Sequence, residues 1–138
     1  MLKKPWCGWS EVCIGEFSRQ CSYLTNPVYD LSKFFLDALC YIDAAVHFNA
    51  EDLGTFDLVY TGSLYVVLHE DEPKIIYLDI DIKELAAEFI KDIKENLVDW
   101  ANWESIDNED EEIENIRKAL EPIENFLNKE HLSILRIF

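Results

Sequence analysis

Six apolar residues, Leu31, Phe34, Phe35, Ala38, Leu39 and Ile42, recur at the 3, 4, 7 and 8 spacing of one helical face. A stripe this apolar must be covered, and the cover expected is a sheet. The segment carries its own start signal. Asn26 is a good N-cap, and Pro27 sits at the first helical position, where its missing N–H costs nothing.

The flanking segments supply strands. Residues 11–24, EVCIGEFSRQCSYL, favour extended structure through Val12, Ile14, Phe17 and Tyr23, with Gly15 placed to mark a bulge. After the helix come VHFNA and TFDLVYTG. SLYVVLHE and KIIYLDI then flank the polar turn EDEP, which predicts an antiparallel hairpin. Its Val66-Val67-Leu68 and Ile75-Ile76 runs suggest central strands, or strands covered on both faces. Asp81, with Glu84 three residues on, opens a second helix in a capping-box pattern. Leu85, Phe89, Ile93, Leu97 and Trp100 then form one buried stripe about five turns long. A third helix from about Glu111 aligns Ile113, Ile116, Leu120, Ile123 and Leu127, with a kink or short break expected at Pro122. The tail residues Leu132, Ile134, Leu135, Ile137 and Phe138 are too apolar for a free end and are expected to dock on the domain or in a dimer. The order β-α-β-β-β-α-α predicts an α+β fold. It is a single two-layer domain over residues 1–138, an antiparallel sheet of about four strands with helices packed on it.

Composition agrees. With 138 residues, 49% hydrophobic and 13% aromatic, the chain can bury a core without disulfides or metals. Its net charge of −16 should repel nucleic acid and anionic membrane, so direct binding to either is not expected. The charge is uneven: residues 1–50 sum to −1 (four basic, five acidic) and 51–138 to −15 (eight basic, twenty-three acidic). From Glu104 to Glu114 seven of eleven residues are acidic, namely Glu104, Asp107, Glu109, Asp110, Glu111, Glu112 and Glu114, and none is basic. One or two acids at a helix start gain about 0.3–1 kcal/mol each from the helix dipole. Seven exceed that need. The surplus is either simple solvation or a face that meets a basic partner.

No residue set names a reaction. There is no G-x-S-x-G elbow, Walker loop or dinucleotide fingerprint, so no enzyme and no cofactor are expected. DNEDEEIE lacks the turn glycine of a calcium loop, and His47, His69 and His131 show no ligand spacing, so no metal site is expected. Cys7, Cys13, Cys21 and Cys40 form no Cys-x-x-Cys pair. Cys13 and Cys21 would share a face if one unbroken strand held both, and buried free thiols are the expected state. MLKKPWCGWS is not a signal-peptide pattern, and no run approaches the ~18 apolar residues of a membrane span. A cytoplasmic protein with reduced thiols is expected.

Four tryptophans mark element ends. Trp100 falls on the buried stripe, whereas Trp103 directly precedes the acids, where an exposed indole would resemble a binding hot spot. Trp6 and Trp9 lie in the polar N-terminal stretch. The run HEDEPKIIYLDIDIKELAAEFIKDIKENLVDWANWE, residues 69–104, resembles small bacterial immunity proteins encoded beside polymorphic or contact-dependent toxins. The likeness is one of size, acidity, α+β order and a Trp-bearing helix end, without a signature motif, so no family site residue carries over. It implies a cytoplasmic protein that binds and blocks one cognate toxin domain. Many such toxins are basic nucleases, which an acidic face would attract. The leading expectation is therefore an acidic protein-binding module. Glu104, Asp107, Glu109, Asp110, Glu111, Glu112 and Glu114 would form its electrostatic face, with Trp103 as anchor. A DNA-mimic inhibitor and a structural protein self-associating as a homodimer through the tail are the alternatives.

Overall fold

The computed structural model describes residues 1–104 and 108–137, with side chains through residue 129. Strands β1 (Trp9–Ile14) and β2 (Phe17–Ser22) precede helix α1 (Pro27–Leu39). Then come β3 (Ala44–Asn49), β4 (Thr55–Tyr60), β5 (Leu64–His69) and β6 (Lys74–Tyr77). Helices α2 (Ile82–Glu95), α3 (Leu97–Ala101) and α4 (Glu109–Ile137) complete the chain. The fold is α+β: a four-stranded antiparallel sheet in the order β3-β4-β5-β6, with helices packed against it.

The first extended segment is a hairpin, not a bulged strand. Ile14 pairs with Phe17, and Gly15 takes φ +59° in the two-residue turn between them. That left-handed backbone is what a tight hairpin needs and what glycine adopts at little cost. Cys13 pairs with Ser18 and Cys21 with Ser10, so the two thiols lie on different strands. Cys21 is buried, Cys13 is half-buried, and Cys7 and Cys40 are exposed.

Helix α1 starts as its residues dictate. The Asn26 side chain accepts the Tyr29 N–H at 3.5 Å, and Pro27 occupies the first turn. Leu31, Phe34, Phe35, Ala38 and Leu39 are buried. The helix stops at Leu39, and Tyr41 turns left-handed (φ 61°), so Ile42 falls off the stripe and is exposed. Asp81 caps α2, accepting the Lys83 N–H at 2.8 Å. The long predicted stripe is interrupted at Asn96 (φ −131°, ψ 38°), whose amide bonds back to the Asp92 carbonyl at 3.2 Å. Such side-chain competition with the backbone is what ends helices at asparagine. Trp100 stays buried on the short α3. No break occurs at Pro122: α4 is helical on both sides of it. The proline is exposed, so the carbonyl it leaves unpaired can be met by water.

The sheet alternates as a half-covered sheet should. Val46, Phe48, Phe56, Leu58, Leu64, Val66 and Leu68 point inward. They join Phe35, Phe89, Ile116 and Leu120 in one cluster, within which Phe35 stacks on Phe89 at 5.2 Å and Phe48 on Phe56 at 4.9 Å. Each such side chain removed from water contributes about 1.5–3 kcal/mol. β5 is central, but β6 is an edge strand with Ile75 exposed and Tyr77 72% exposed, so its run is not covered on both faces. Among the described residues no helix is long and apolar enough to cross a membrane. The tail side chains and Asp107 lie outside the described residues.

Candidate partner-binding face

The acidic run is anchored where the first turns of α1 and α4 meet. The Tyr29 hydroxyl donates to the Glu112 carboxylate, and Glu112 is only 8% exposed. Glu112 therefore faces the protein and does not belong to the outer electrostatic face. Burial, then the hydrogen bond and charge of Glu112, then the charge of Glu104, push the Tyr29 phenol well above its ordinary value. Asp30 is also raised, first by burial and then by Glu104. Glu104 thus lies close enough to Asp30 to disfavour its charged form. The N-terminal ends of two helices offset part of that repulsion.

The remaining acids of the run among the described residues face outward. Asn108 Oδ1 accepts the Glu111 N–H at 3.0 Å, closing the first turn of α4. Glu109 accepts from the Asn102 amide at 2.8 Å. Glu104, Asp110, Glu111 and Glu114 are exposed, Glu114 lying 4.0 Å from Arg117.

Trp103 is not an exposed anchor. It is 6% exposed, packs 5.2 Å from Trp100, and donates its indole N–H to the Thr25 carbonyl at 2.9 Å. The exposed indole at this edge is Trp6, at 78%. It is held by a tight turn in which Trp6 and Trp9 exchange backbone bonds of 2.8 and 3.0 Å. Cys7 (φ 50°) and Gly8 (φ 78°) occupy the turn, both left-handed as a primed hairpin turn demands. Trp6 and the exposed Tyr23 border a cleft of about 650 Å³ walled by Asp99 and Glu104, with Trp103 among its lining residues. Trp6, Tyr23, Asp30 and Asp99 were not assigned to the site by sequence reasoning. The Cys7-Gly8 turn before a strand was the available signal for Trp6.

The sheet also brings together two histidines that show no ligand spacing in the sequence. His47 and Asp57 are direct cross-strand partners on β3 and β4, and His69 lies diagonally opposite on β5. Asp57 bonds both rings, Oδ1 to His47 Nδ1 at 2.6 Å and Oδ2 to His69 Nε2 at 2.9 Å. No protein-family model matches the chain, and no curated protein sequence or solved structure shows significant similarity to it.

Proposed function

We propose that this chain is a non-catalytic acidic binding module of the immunity-protein type, which docks a basic protein and blocks it. The supporting observation is the exposed Trp6 indole beside a cleft walled by Asp99 and Glu104, close to the acidic start of α4. An aromatic anchor within a charged rim is the arrangement that concentrates binding energy at protein interfaces. The carboxylates would speed encounter with a cationic partner, such as a nuclease toxin domain. Four outward acids of α4, Glu109, Asp110, Glu111 and Glu114, fall within its first two turns, a compact patch that suits a protein partner better than the extended carboxylate row of a DNA mimic.

The test compares three baits in lysate of the source organism: the wild-type chain, Trp6→Ala, and the combined Asp110→Asn, Glu111→Gln, Glu114→Gln chain. The expected result is one basic protein held stoichiometrically by wild type and released by salt. It should be depleted on both variants, and the purified pair should show the same ranking. A captured partner that binds all three baits equally would overturn the assignment of this face.

A further inference from the structure

We infer that His47, Asp57 and His69 form a binding site for one divalent transition-metal ion, of the zinc class, on the open face of the sheet. The strands dictate the placement. In β3, Val46 and Phe48 point into the core, so His47 between them points out. In β4, Phe56 and Leu58 point in and Asp57 points out. In β5, Leu68 points in and His69 points out. Register then sets His47 opposite Asp57, and Thr55, two residues before Asp57, opposite His69. Three donors from three neighbouring strands converge, although the histidines are twenty-two residues apart in sequence.

The donor set is two imidazole nitrogens and one carboxylate oxygen, which suits zinc and its neighbours better than calcium or magnesium. The ligand atoms all lie within 4.8 Å of one another. Donors around a tetrahedral zinc ion sit about 3.3 Å apart, given metal–ligand bonds of about 2.0–2.1 Å. Side-chain rotation covers the difference, while the paired strands hold the Cα positions. The carboxylate bridges both rings, so His47 Nδ1 and His69 Nε2 carry their protons toward it when the rings are neutral. On binding, each proton moves through solvent to the other nitrogen of its ring, and the freed lone pairs take the metal. Both rings are about half exposed, which leaves room for water or a partner's side chain to complete the coordination.

Cobalt(II) titration of untagged full-length protein, read by its visible d–d absorption, tests the site. Loose carboxylate binding is suppressed with excess magnesium, and Cys7, Cys13 and Cys40 are replaced by Ser to remove competing thiols. One saturating equivalent is expected, displaced by zinc. Its affinity should fall at least about tenfold in His47→Gln, His69→Gln and Asp57→Asn. These side chains point outward, so circular dichroism should be unchanged. On the wild-type chain, zinc should shift the ring-nitrogen NMR signals of His47 and His69 and raise Tm, because an ion bound only by the folded state stabilises it. Titration unaffected by the histidine substitutions, or zinc that leaves both rings and Tm unmoved, would overturn the site.

Discussion

Tyr29 and Glu112, 83 residues apart in sequence, share a hydrogen bond that joins the first turn of α1 to the first turn of α4. It turns one member of the densest acidic stretch inward as a structural group. Tyr29→Phe leaves the buried carboxylate without that donor and should destabilise the fold by about 1–3 kcal/mol. Urea denaturation measures this. Glu112→Gln keeps an acceptor for the phenol and removes a charge, so it should cost less than Tyr29→Phe. Equal stability of Tyr29→Phe and wild type would show that the bond contributes nothing.

The same pair makes stability sensitive to alkali. Burial and Glu112 raise the Tyr29 phenol in the folded state above its unfolded value. The folded state therefore holds the phenolic proton more tightly. Its contribution is fully present below the unfolded value of about 10 and is lost as pH rises through the folded value. The urea midpoint should fall more steeply as pH rises above about 10 in wild type than in Tyr29→Phe. Parallel curves would refute the linkage.

The two edge tryptophans should separate in their effects. Trp103→Ala removes a buried ring and its bond to Thr25, and should cost about 3–5 kcal/mol. Trp6→Ala removes an exposed ring and should change stability by no more than about 0.5 kcal/mol. Thermal melts of both variants check the contrast, and a Trp6→Ala chain as unstable as Trp103→Ala would contradict it.

Thiol reactivity should follow burial. Burial pushes the Cys21 thiol up to about 12, so its thiolate is scarce at neutral pH. With a chromogenic disulfide reagent, Cys7 and Cys40 should react first, Cys13 more slowly, and Cys21 only after denaturation. Four thiols reacting at one rate in the folded protein would contradict the assignment.

What could be read from sequence was local. Asn26-Pro27 and Asp81 announce two helices because capping depends on residues within one turn. The β4 and β5 segments read as strands because their β-branched and aromatic residues suit a pleated surface, but the continuous Val66-Val67-Leu68 run hides the one-sided alternation that the structure shows. Features that depend on the third dimension were not legible. Trp103 is buried because Thr25, 78 residues away, lies beside it. Glu112 reads as one surface acid among several until α1 brings Tyr29 to it. His47, Asp57 and His69 show no spacing rule because register, not sequence interval, brings them together. The break at Asn96 lacks the proline or glycine that would have signalled it.

The sheet is a plain meander: β3, β4, β5 and β6 each pair with the strand next in sequence. Every one of those pairings closes a short loop, which makes for low contact order and rapid assembly. Docking α4 against α1 is different, since it closes a loop of more than eighty residues and incurs the larger entropic cost. The rate-limiting event in folding should therefore lie at the α1–α4 junction, at the edge where the acids gather. Charge repulsion there would slow the chain's final closure, and added salt would speed it.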